Sequence, residues 1–258
     1  MSADGPVLAM EGISKSFGPV QALEDVNFSV RPGEVVALVG DNGAGKSTLI
    51  KVIAGIHSAD KGTVRFEGKP VTISSPNDAV KLGIATVYQD LALCDNLTVV
   101  ENLFLGREEG SEGIGKITRA LDDTDMEHQS HDLLSNLAVT ITDVRAEVGT
   151  MSGGQRQQVA IARSLLGEPR VVILDEPTAA LGVRQTAQVL ALIKRLREQG
   201  HGVVVISHNL ADVFEVADRI FVLRLGKESG VYDADKVSQE DVVAAITGAT
   251  VSGNGGER

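Results

Sequence analysis

The amino-acid sequence predicts an α/β protein whose main sheet is mostly parallel, with an antiparallel β subdomain near the N-terminus and an inserted helical subdomain. Short apolar runs, typical of buried strands, recur along the chain and alternate with helical patterns. Shorter alternating segments, divided by glycine and proline turns, occupy the N-terminal part instead. A polar and charged stretch interrupts the α/β pattern in the middle of the chain.

The predicted strands of the main sheet are short apolar runs. They cover residues 35–39, 84–87, 171–174, 203–206 and 220–223, and the predicted helices cover residues 47–54, 154–166 and 184–198. Buried strands that alternate with helices favour a parallel sheet with helices on both faces. Residues 7–11, 21–30 and 63–66 alternate apolar and polar side chains, which predicts the small antiparallel sheet.

The middle of the chain predicts a different kind of structure. Residues 107–115 are rich in charge and glycine, as in a surface loop, and residues 121–137 form the pattern of a polar amphipathic helix. We therefore interpret residues 91–160 as a helical subdomain inserted into the α/β core. Residues 7–248 are predicted to form one domain, followed by a flexible, glycine-rich tail over residues 249–258.

The composition limits the classes of function. With 258 residues, of which 43% are hydrophobic and 23% charged, the chain has the make-up of a globular protein with a large core. Its net charge of −11 argues against sequence-independent binding of nucleic acid, which needs Lys and Arg to neutralise phosphates. Cys94 is the one cysteine, which excludes an intramolecular disulfide. The sequence has neither a signal-peptide layout nor a run of about 20 apolar residues, so we expect no membrane crossing.

The segment 40–48 carries the strongest functional pattern. It reads G-x-x-x-x-G-K-S, the pattern of a phosphate-binding loop, between a predicted strand and a predicted helix. Glycines let several backbone N–H groups turn onto one anion, and the helix N-terminus adds positive potential. Lys46 reaches the β- and γ-phosphates, and Ser47 can ligate Mg²⁺. The predicted phosphate-binding residues are Gly40, Asp41, Asn42, Gly43, Ala44, Gly45, Lys46, Ser47 and Thr48.

Two adjacent carboxylates supply the second half of a nucleotide site. Asp175 and Glu176 directly follow the predicted strand 171–174, and ligands of open α/β sheets bind beyond the carboxyl ends of strands. Asp175 is placed to hold Mg²⁺, and Glu176 is placed to polarise an attacking water. Kinases, GTPases and many ATPases share these two motifs, although the Asn-Lys-x-Asp segment expected of a GTPase does not occur in this sequence.

A third motif distinguishes among these classes of nucleotide-binding protein. It reads Met151-Ser152-Gly153-Gly154-Gln155. It resembles Leu-Ser-Gly-Gly-Gln, the signature of the ATP-binding cassette family, and the resemblance covers nearly the whole chain with the motifs in the family's order. Ser152 and the two glycines open a helix and so create a second anion-binding N-terminus. The resemblance implies a P-loop NTPase (RecA-like) fold with ATP and Mg²⁺ as cofactors. It also implies that each nucleotide is clamped between the phosphate loop of one cassette and Ser152, Gly153, Gly154 and Gln155 of another.

Three further side chains gain roles through this resemblance. Phe17 stands where an aromatic ring stacks on adenine, and Gln89 stands where a glutamine contacts Mg²⁺ and water. His208 matches the family's switch histidine, which contacts the γ-phosphate. The resemblance thus implies Glu176, His208 and Gln89 as catalytic residues, and Ser47, Gln89 and Asp175 as metal ligands.

The sequence departs from the family pattern at two positions. Met151 replaces the usual leucine, a small change between apolar side chains of similar volume. Gly182 stands where the segment 178–182 normally ends in aspartate at the interface between cassettes, which bears on how tightly the two sites are coupled. Because Glu176 and His208 are both present, hydrolysis is still expected.

Within the family, several stretches resemble import ATPases of the ribose, xylose and fructose type. They are residues 41–51, 74–79, 83–89, 97–102 and 105–107. The resemblance implies an ATP-hydrolysing subunit of a sugar importer, a peripheral protein on the cytoplasmic face of the cell membrane. Each chain carries one copy of each motif, so the first implied partner is a second cassette, most simply an identical one. An integral membrane permease and, indirectly, a sugar-binding protein are the others, and nucleic acid is not expected.

Two other interpretations stay open at this level. A cassette ATPase acting on nucleic acid or ribosomes would share all three motifs, although such proteins usually carry two cassettes, coiled coils or basic extensions. A small-molecule kinase would use the phosphate loop but would leave residues 152–155 without a role. Release of phosphate without an added acceptor, inhibited by vanadate, would favour the cassette ATPase over the kinase.

Overall fold

The computed structural model describes residues 5–106, 123–141 and 143–249. Within these ranges, ten strands form two sheets, and eight α-helices pack around them. No helix in the described ranges combines the length and the apolar character that a membrane span needs.

The strands and helices are numbered in chain order. The strands are β1 (Leu8–Phe17), β2 (Val20–Val30), β3 (Val35–Val39), β4 (Lys61–Phe66), β5 (Lys69–Val71), β6 (Ile84–Val87), β7 (Val171–Asp175), β8 (Gly202–Ile206), β9 (Arg219–Arg224) and β10 (Lys227–Asp233). The helices are α1 (Lys46–Ile53), α2 (Pro76–Lys81), α3 (Val99–Phe104), α4 (Asp123–Asn136), α5 (Gly153–Leu165), α6 (Val183–Glu198), α7 (Leu210–Val216) and α8 (Gln239–Thr247).

The larger sheet has the strand order β10-β9-β3-β8-β7-β6. All neighbouring strands in it are parallel except β10, which runs antiparallel to β9. Alternate residues of β8 enter two different apolar clusters, Val203 and Val205 on one face and Val204 and Ile206 on the other. Both faces of the sheet are therefore covered, which explains why β3 and β8 are apolar along almost their whole length.

The smaller sheet is antiparallel, with the order β2-β1-β4-β5. Its inner face shares a core with α1 and with the larger sheet, in which Leu8, Met10 and Leu49 are buried. The rings of Phe28 and Phe221 meet edge to face across the two sheets, with their centroids 5.2 Å apart. Aromatic pairs favour this arrangement, so it fixes the small sheet against the core of the large one.

A layer of helices covers the β6 side of the larger sheet. α5 packs against α3, α6 and β6, and α3 packs against α4. The fully buried Asn102 on α3 organises the segment that leads into this layer. Its Nδ2 donates to the backbone oxygens of Cys94, Leu97 and Thr98, while its Oδ1 accepts from the Cys94 N–H at 2.8 Å. One amide side chain thus replaces the backbone partners that this turn lacks.

The predicted fold class is confirmed, and most predicted elements lie within one or two residues of the observed ones, although β1 continues to Phe17, well beyond the strand predicted over residues 7–11. The predicted strands 35–39 and 84–87 coincide with β3 and β6. The helix predicted over residues 121–137 appears as α4. The predicted loop 107–115 and most of the tail 249–258 lie outside the described residues. The single domain over residues 7–248 and the insertion over residues 91–160 stay predictions.

Candidate active site

The phosphate loop joins β3 to α1 and depends on glycine at two positions. Gly45, the residue before α1, has φ of 105°, and a Cβ atom there would lie 2.7 Å from the Ala22 backbone oxygen. A Cβ atom on Gly40 would overlap the backbone oxygen of Leu223. β2 and β9 therefore approach the loop so closely that only glycine fits.

Lys46 lies at the start of α1 and points back across the loop. Its Nζ donates to the backbone oxygens of Gly40 at 2.7 Å and Asp41 at 3.0 Å. Partial burial lowers the pKa of Lys46, and the negative charges of Glu176, Asp41 and Asp175 only partly oppose that shift. The cation is thus held at the mouth of the loop, beside a helix N-terminus whose backbone N–H groups attract anions.

Asp175 ends β7 and shares this environment. Burial, and then the negative charge of Glu176, raise the pKa of the Asp175 carboxyl, while Lys46 and Lys51 act in the opposite direction. Two adjacent carboxylates beside a partly buried lysine form a set of hard oxygen donors whose mutual repulsion a divalent cation would relieve. The residues present therefore fit Mg²⁺, and Ser47, exposed in the first turn of α1, offers a further hydroxyl oxygen.

Glu176 adopts an unusual backbone conformation. Its φ is 50°, in the left-handed region that non-glycine residues seldom occupy, and its N–H donates to the Ile206 oxygen at 2.9 Å. Its Oε2 lies 2.8 Å from the Nδ1 atom of His208. The Glu176 side chain is mostly buried, whereas His208 is 75% exposed and free to turn toward a ligand. Strain of this kind is concentrated at functional sites.

Gln89 and Phe17 lie at the periphery of this cluster. Gln89 is exposed two residues beyond β6, whose neighbour in the sheet is β7, the strand that ends in Asp175. Phe17 ends β1 and is 43% exposed. Its ring meets the imidazole of His57 edge to face, with the centroids 5.0 Å apart. His57 is half-buried at this contact.

The signature turn is complete as a helix cap. Ser152 precedes α5, and its Oγ accepts from the Gln155 N–H at 3.3 Å, while Gln155 Oε1 accepts from the Ser152 N–H at 3.1 Å. This reciprocal pair is a capping box. A Cβ atom on Gly154 would lie 2.8 Å from the Cβ atom of Gln185 on α6, so helix packing requires glycine at that position. The backbone N–H groups at the start of α5 still form an anion-attracting end.

The two anion-attracting helix ends belong to different parts of the molecule. α1 follows β3 in the middle of the sheet, whereas α5 packs beside β6 at its edge. The charged groups that act on Lys46 are Asp41, Asp175 and Glu176, which come from the phosphate loop and β7. The phosphate loop thus gathers Asp175, Glu176 and His208 around it, while Ser152 is organised by Gln155 of its own helix.

The loop after Glu176 contains a contact that sequence reasoning missed. Thr178 Oγ1 donates to Asp212 Oδ2 at 2.6 Å, which ties this loop to the buried side chain of Asp212 on α7. The loop ends at Gly182, whose N–H donates to Gln185 Oε1 at 3.1 Å. A Cβ atom on Gly182 would meet only Gln185 Oε1, at 3.8 Å, so no steric conflict explains why glycine replaces the usual aspartate.

The strand–loop–helix phosphate site, the acid pair after a parallel strand and the capped signature turn together define an ATP-binding cassette. A model described as ABC transporter matches residues 23–179, and the chain belongs to that family. The predicted family, its ATPase activity and its cofactors ATP and Mg²⁺ are confirmed by this membership.

Curated relatives resemble the chain over most of its length. The Fructose import ATP-binding protein FrcA of Rhizobium meliloti is 48% identical over 249 residues, which cover 96% of each chain. The Xylose/arabinose import ATP-binding protein XylG of Sulfolobus acidocaldarius is 44% identical over 93% of this chain and 94% of its own. The Ribose import ATP-binding protein RbsA 1 of Rubrobacter xylanophilus is 42% identical over 95% of this chain, which corresponds to 48% of that longer protein.

Solved structures resemble the fold equally broadly. A nucleotide-free ATP-binding cassette from an ABC transporter superposes with a TM-score of 0.78 at 28% identity, covering 94% of this chain and 96% of its own. The structure of cbiO1 from Clostridium perfringens, part of the ABC transporter complex cbiONQ, superposes with a TM-score of 0.77 at 26% identity, covering 96% of each chain. The P-loop architecture predicted from the sequence is therefore confirmed.

Proposed function

We propose that the chain is the ATP-hydrolysing subunit of an ABC importer for sugars. The relatives named for fructose, for xylose and arabinose, and for ribose support sugar as the cargo. The rival function, a cassette ATPase acting on nucleic acid or ribosomes, has less support because those relatives are named import proteins and the chain carries a net charge of −11.

The observation that carries this proposal is the separation of two anion-attracting helix ends on one chain. The phosphate loop has charged groups from β7 beside it, whereas the signature turn lies on the β6 side of the sheet. One nucleotide needs one phosphate loop. A second, separate anion site is explained if two chains pair head to tail, so that Ser152 and Gly154 of one chain cover the phosphates held by the other.

Each side chain of the proposed site has a chemical task. Lys46 and the loop N–H groups bind the β- and γ-phosphates, and Ser47, Asp175 and Gln89 hold the metal ion. When bound, Mg²⁺ neutralises charge that develops on the transferred phosphoryl group. Glu176 orients the attacking water and accepts its proton. His208 leaves Glu176 and donates to the γ-phosphate, which frees the carboxylate for this role.

The proposed partners follow from the same function. A second copy of the chain completes both sites, and an integral membrane permease receives the movement through the helices α3, α4 and α5. The segment after Gln89 is suited to pass this movement on, because Arg163 Nη1 on α5 donates to the Ala92 oxygen at 2.8 Å. The chain then lies at the cytoplasmic face of the membrane as a peripheral subunit, and a sugar-binding protein acts upstream of the permease.

Mixing two inactive variants tests the composite site. Lys46→Ala removes the phosphate-loop cation, and Ser152→Asp places a negative charge against the γ-phosphate while keeping a good helix cap. If sites form between chains, a mixed pair contains one site with both parts intact. Equal mixing should then restore about a quarter of the wild-type ATPase rate, since half of the pairs are mixed and each has one working site.

A mixture without activity would contradict a site shared between chains. If each chain completes its own site, every site in the mixture carries a damaging substitution, and the mixture stays as inactive as its components. The matched control mixes Lys46→Ala with Glu176→Gln, both on the phosphate-loop side, because Glu176 contacts His208 and lies beside Lys46. The mixed pair then has no intact phosphate-loop side in either chain, so no activity should return.

A pull-down tests the transport role. Glu176→Gln should hold Mg·ATP and the closed pair, so this variant is captured from cells in mild detergent and its partners are identified by mass spectrometry. We expect an integral membrane permease, and Lys46→Ala serves as the control that does not hold nucleotide. Recovery of ribosomal proteins or nucleic acid in place of a permease would reject the import function.

A further inference from the structure

We propose that His57 and Asp60 form a mount for Phe17 that fixes the adenine-binding ring relative to the phosphate loop. This inference rests on the proposed function, in which Phe17 stacks on the base of ATP. The connection from α1 to β4 carries both residues, so the helix that binds phosphate also positions the ring that binds adenine. His57 and Asp60 are positioning residues, since they act on the nucleotide through Phe17.

A tight turn at the end of α1 sets the position of His57. Gly55 has φ of 73°, and a Cβ atom there would overlap the backbone oxygen of Ser75. The N–H groups of Ile56 and His57 both donate to the Lys51 oxygen, at 2.8 Å and 3.1 Å, and so close the last turn of α1. The location of His57 is therefore set by α1 itself.

Asp60 holds the end of β1 by three hydrogen bonds. Its N–H donates to the Ser14 oxygen at 2.8 Å, and its carboxylate accepts from Lys15 Nζ and from the Ser16 N–H, each at 2.7 Å. The hydrogen bonds from Lys15 and Ser16 lower the pKa of Asp60, so it stays ionised at neutral pH. The three bonds involve the three residues immediately before Phe17.

The ring of Phe17 has two side-chain neighbours and stays partly open to a ligand. The His57 ring meets it at an interplanar angle of 70°, and Lys15 Nζ lies over the ring, 5.5 Å from its centroid. The ring is 43% exposed despite these contacts, so enough of it remains free for a base to stack. Loss of the imidazole would release the ring, and each bound nucleotide would then have to order it again.

Calorimetry with two ligands separates this role from general damage. Mg·ADP carries both base and phosphates, whereas Mg·tripolyphosphate carries phosphates alone. We expect His57→Ala to weaken Mg·ADP binding about three- to tenfold and to leave tripolyphosphate binding unchanged. The matched control is His201→Ala, a half-buried histidine before β8 whose Nδ1 lies 2.7 Å from the Pro169 oxygen. It should change neither affinity.

Two further variants show whether His57 acts through Phe17. His57→Phe keeps an aromatic edge against the ring and should retain Mg·ADP affinity, with the KM for ATP near that of the wild type. His57→Ala should raise this KM without lowering kcat. In a Phe17→Ala background, His57→Ala should have no further effect, because the ring that it positions is absent.

Three results would overturn the inference. His57→Ala could leave Mg·ADP affinity unchanged, it could weaken tripolyphosphate equally, or its effect could persist in full without Phe17. If the wild type binds tripolyphosphate as tightly as Mg·ADP, the adenine platform is wrong while the phosphate site stands. If the wild type binds neither ligand, the proposed role as the ATP-hydrolysing subunit of a sugar importer fails, and this inference fails with it.

Discussion

Two groups of charged side chains in this molecule differ in whether their charges are paired. In the phosphate-site cluster, Lys46, Asp175 and Glu176 are crowded together, and burial raises the pKa of Asp175 while it lowers the pKa of Lys46. In the Glu34–Arg219 pair, by contrast, the carboxylate and the guanidinium are joined by two hydrogen bonds. Arg219 Nε donates to Glu34 Oε1 at 2.8 Å, and Arg219 Nη2 donates to Glu34 Oε2 at 3.1 Å.

The Glu34–Arg219 pair also binds the two sheets together. Arg219 begins β9 in the larger sheet, and its Nη2 donates to the Ser29 oxygen in the smaller one at 2.7 Å. Glu34 Oε2 additionally accepts from the Arg31 N–H at 2.7 Å. The comparison teaches that charges paired by the fold serve stability, whereas charges left in conflict are suited to a ligand of complementary charge.

Glu176→Gln should have the largest effect. It should lower the rate of ATP hydrolysis and leave ATP binding intact. The amide cannot accept a proton from water, so the ATPase rate should fall by about 10²- to 10⁴-fold. ATP should stay bound, and size-exclusion chromatography in Mg·ATP should show the pair. Glu215→Gln is the control, since Glu215 pairs with Lys194 at the surface. A Glu176→Gln variant that hydrolyses at the parent rate would remove Glu176 from its proposed role.

Lys46→Ala should abolish tight nucleotide binding without unfolding the protein. Loss of a phosphate-binding cation should weaken Mg·ATP at least about 30-fold, measured by calorimetry. Because the folded state lowers the pKa of Lys46, keeping its charge at neutral pH opposes folding, and this cost shrinks as the pH rises above the lowered pKa and is gone above the ordinary lysine pKa. Lys46→Ala removes this cost and also the two hydrogen bonds to the Gly40 and Asp41 oxygens, so the melting temperature should change little. Unchanged ATP affinity would show that the loop is misassigned, and Lys194→Ala is the surface control.

Glu34→Ala should have the opposite effect to Lys46→Ala: the protein should lose stability and keep its nucleotide binding. The substitution leaves the mostly buried Arg219 unpaired and should lower the free energy of unfolding by about 2–3 kcal/mol, measured in urea. Glu24→Ala is the matched control, because Glu24 pairs with Lys227 at 3.0 Å on the exposed surface and should cost at most about 1 kcal/mol. Equal effects of the two substitutions would contradict the distinction drawn between the clusters.

The sequence predicted those parts of the fold and site that have a local signal. β3 and the start of α1 were predicted because an apolar run, a glycine loop and a helix follow one another without a gap. β10 was missed because Lys227–Asp233 is a polar edge strand that contains a glycine. α8 was missed although Ser238 and Asp241 form a capping box, a signal that could have found it.

The contacts that position the site could not be predicted from the sequence. His57 meets Phe17 across 40 positions of the chain, and Glu34 meets Arg219 across 185. Contacts of this kind depend on sheet order and strand register, and no local pattern encodes them. The contact between Glu176 and His208 is intermediate, because parallel strands predict that both residues lie at one edge but not that their atoms meet at 2.8 Å.

The crowding of Gly154 against Gln185 has a consequence for how such genes are interpreted. A duplicated copy of this cassette that had lost ATP turnover would still need glycine there, because any larger residue would push α5 away from α6. A glycine retained at this position in such a copy would therefore be no sign of an active enzyme. Under the proposed function, the informative positions in such a descendant are Glu176 and His208, whose side chains the helix packing does not require.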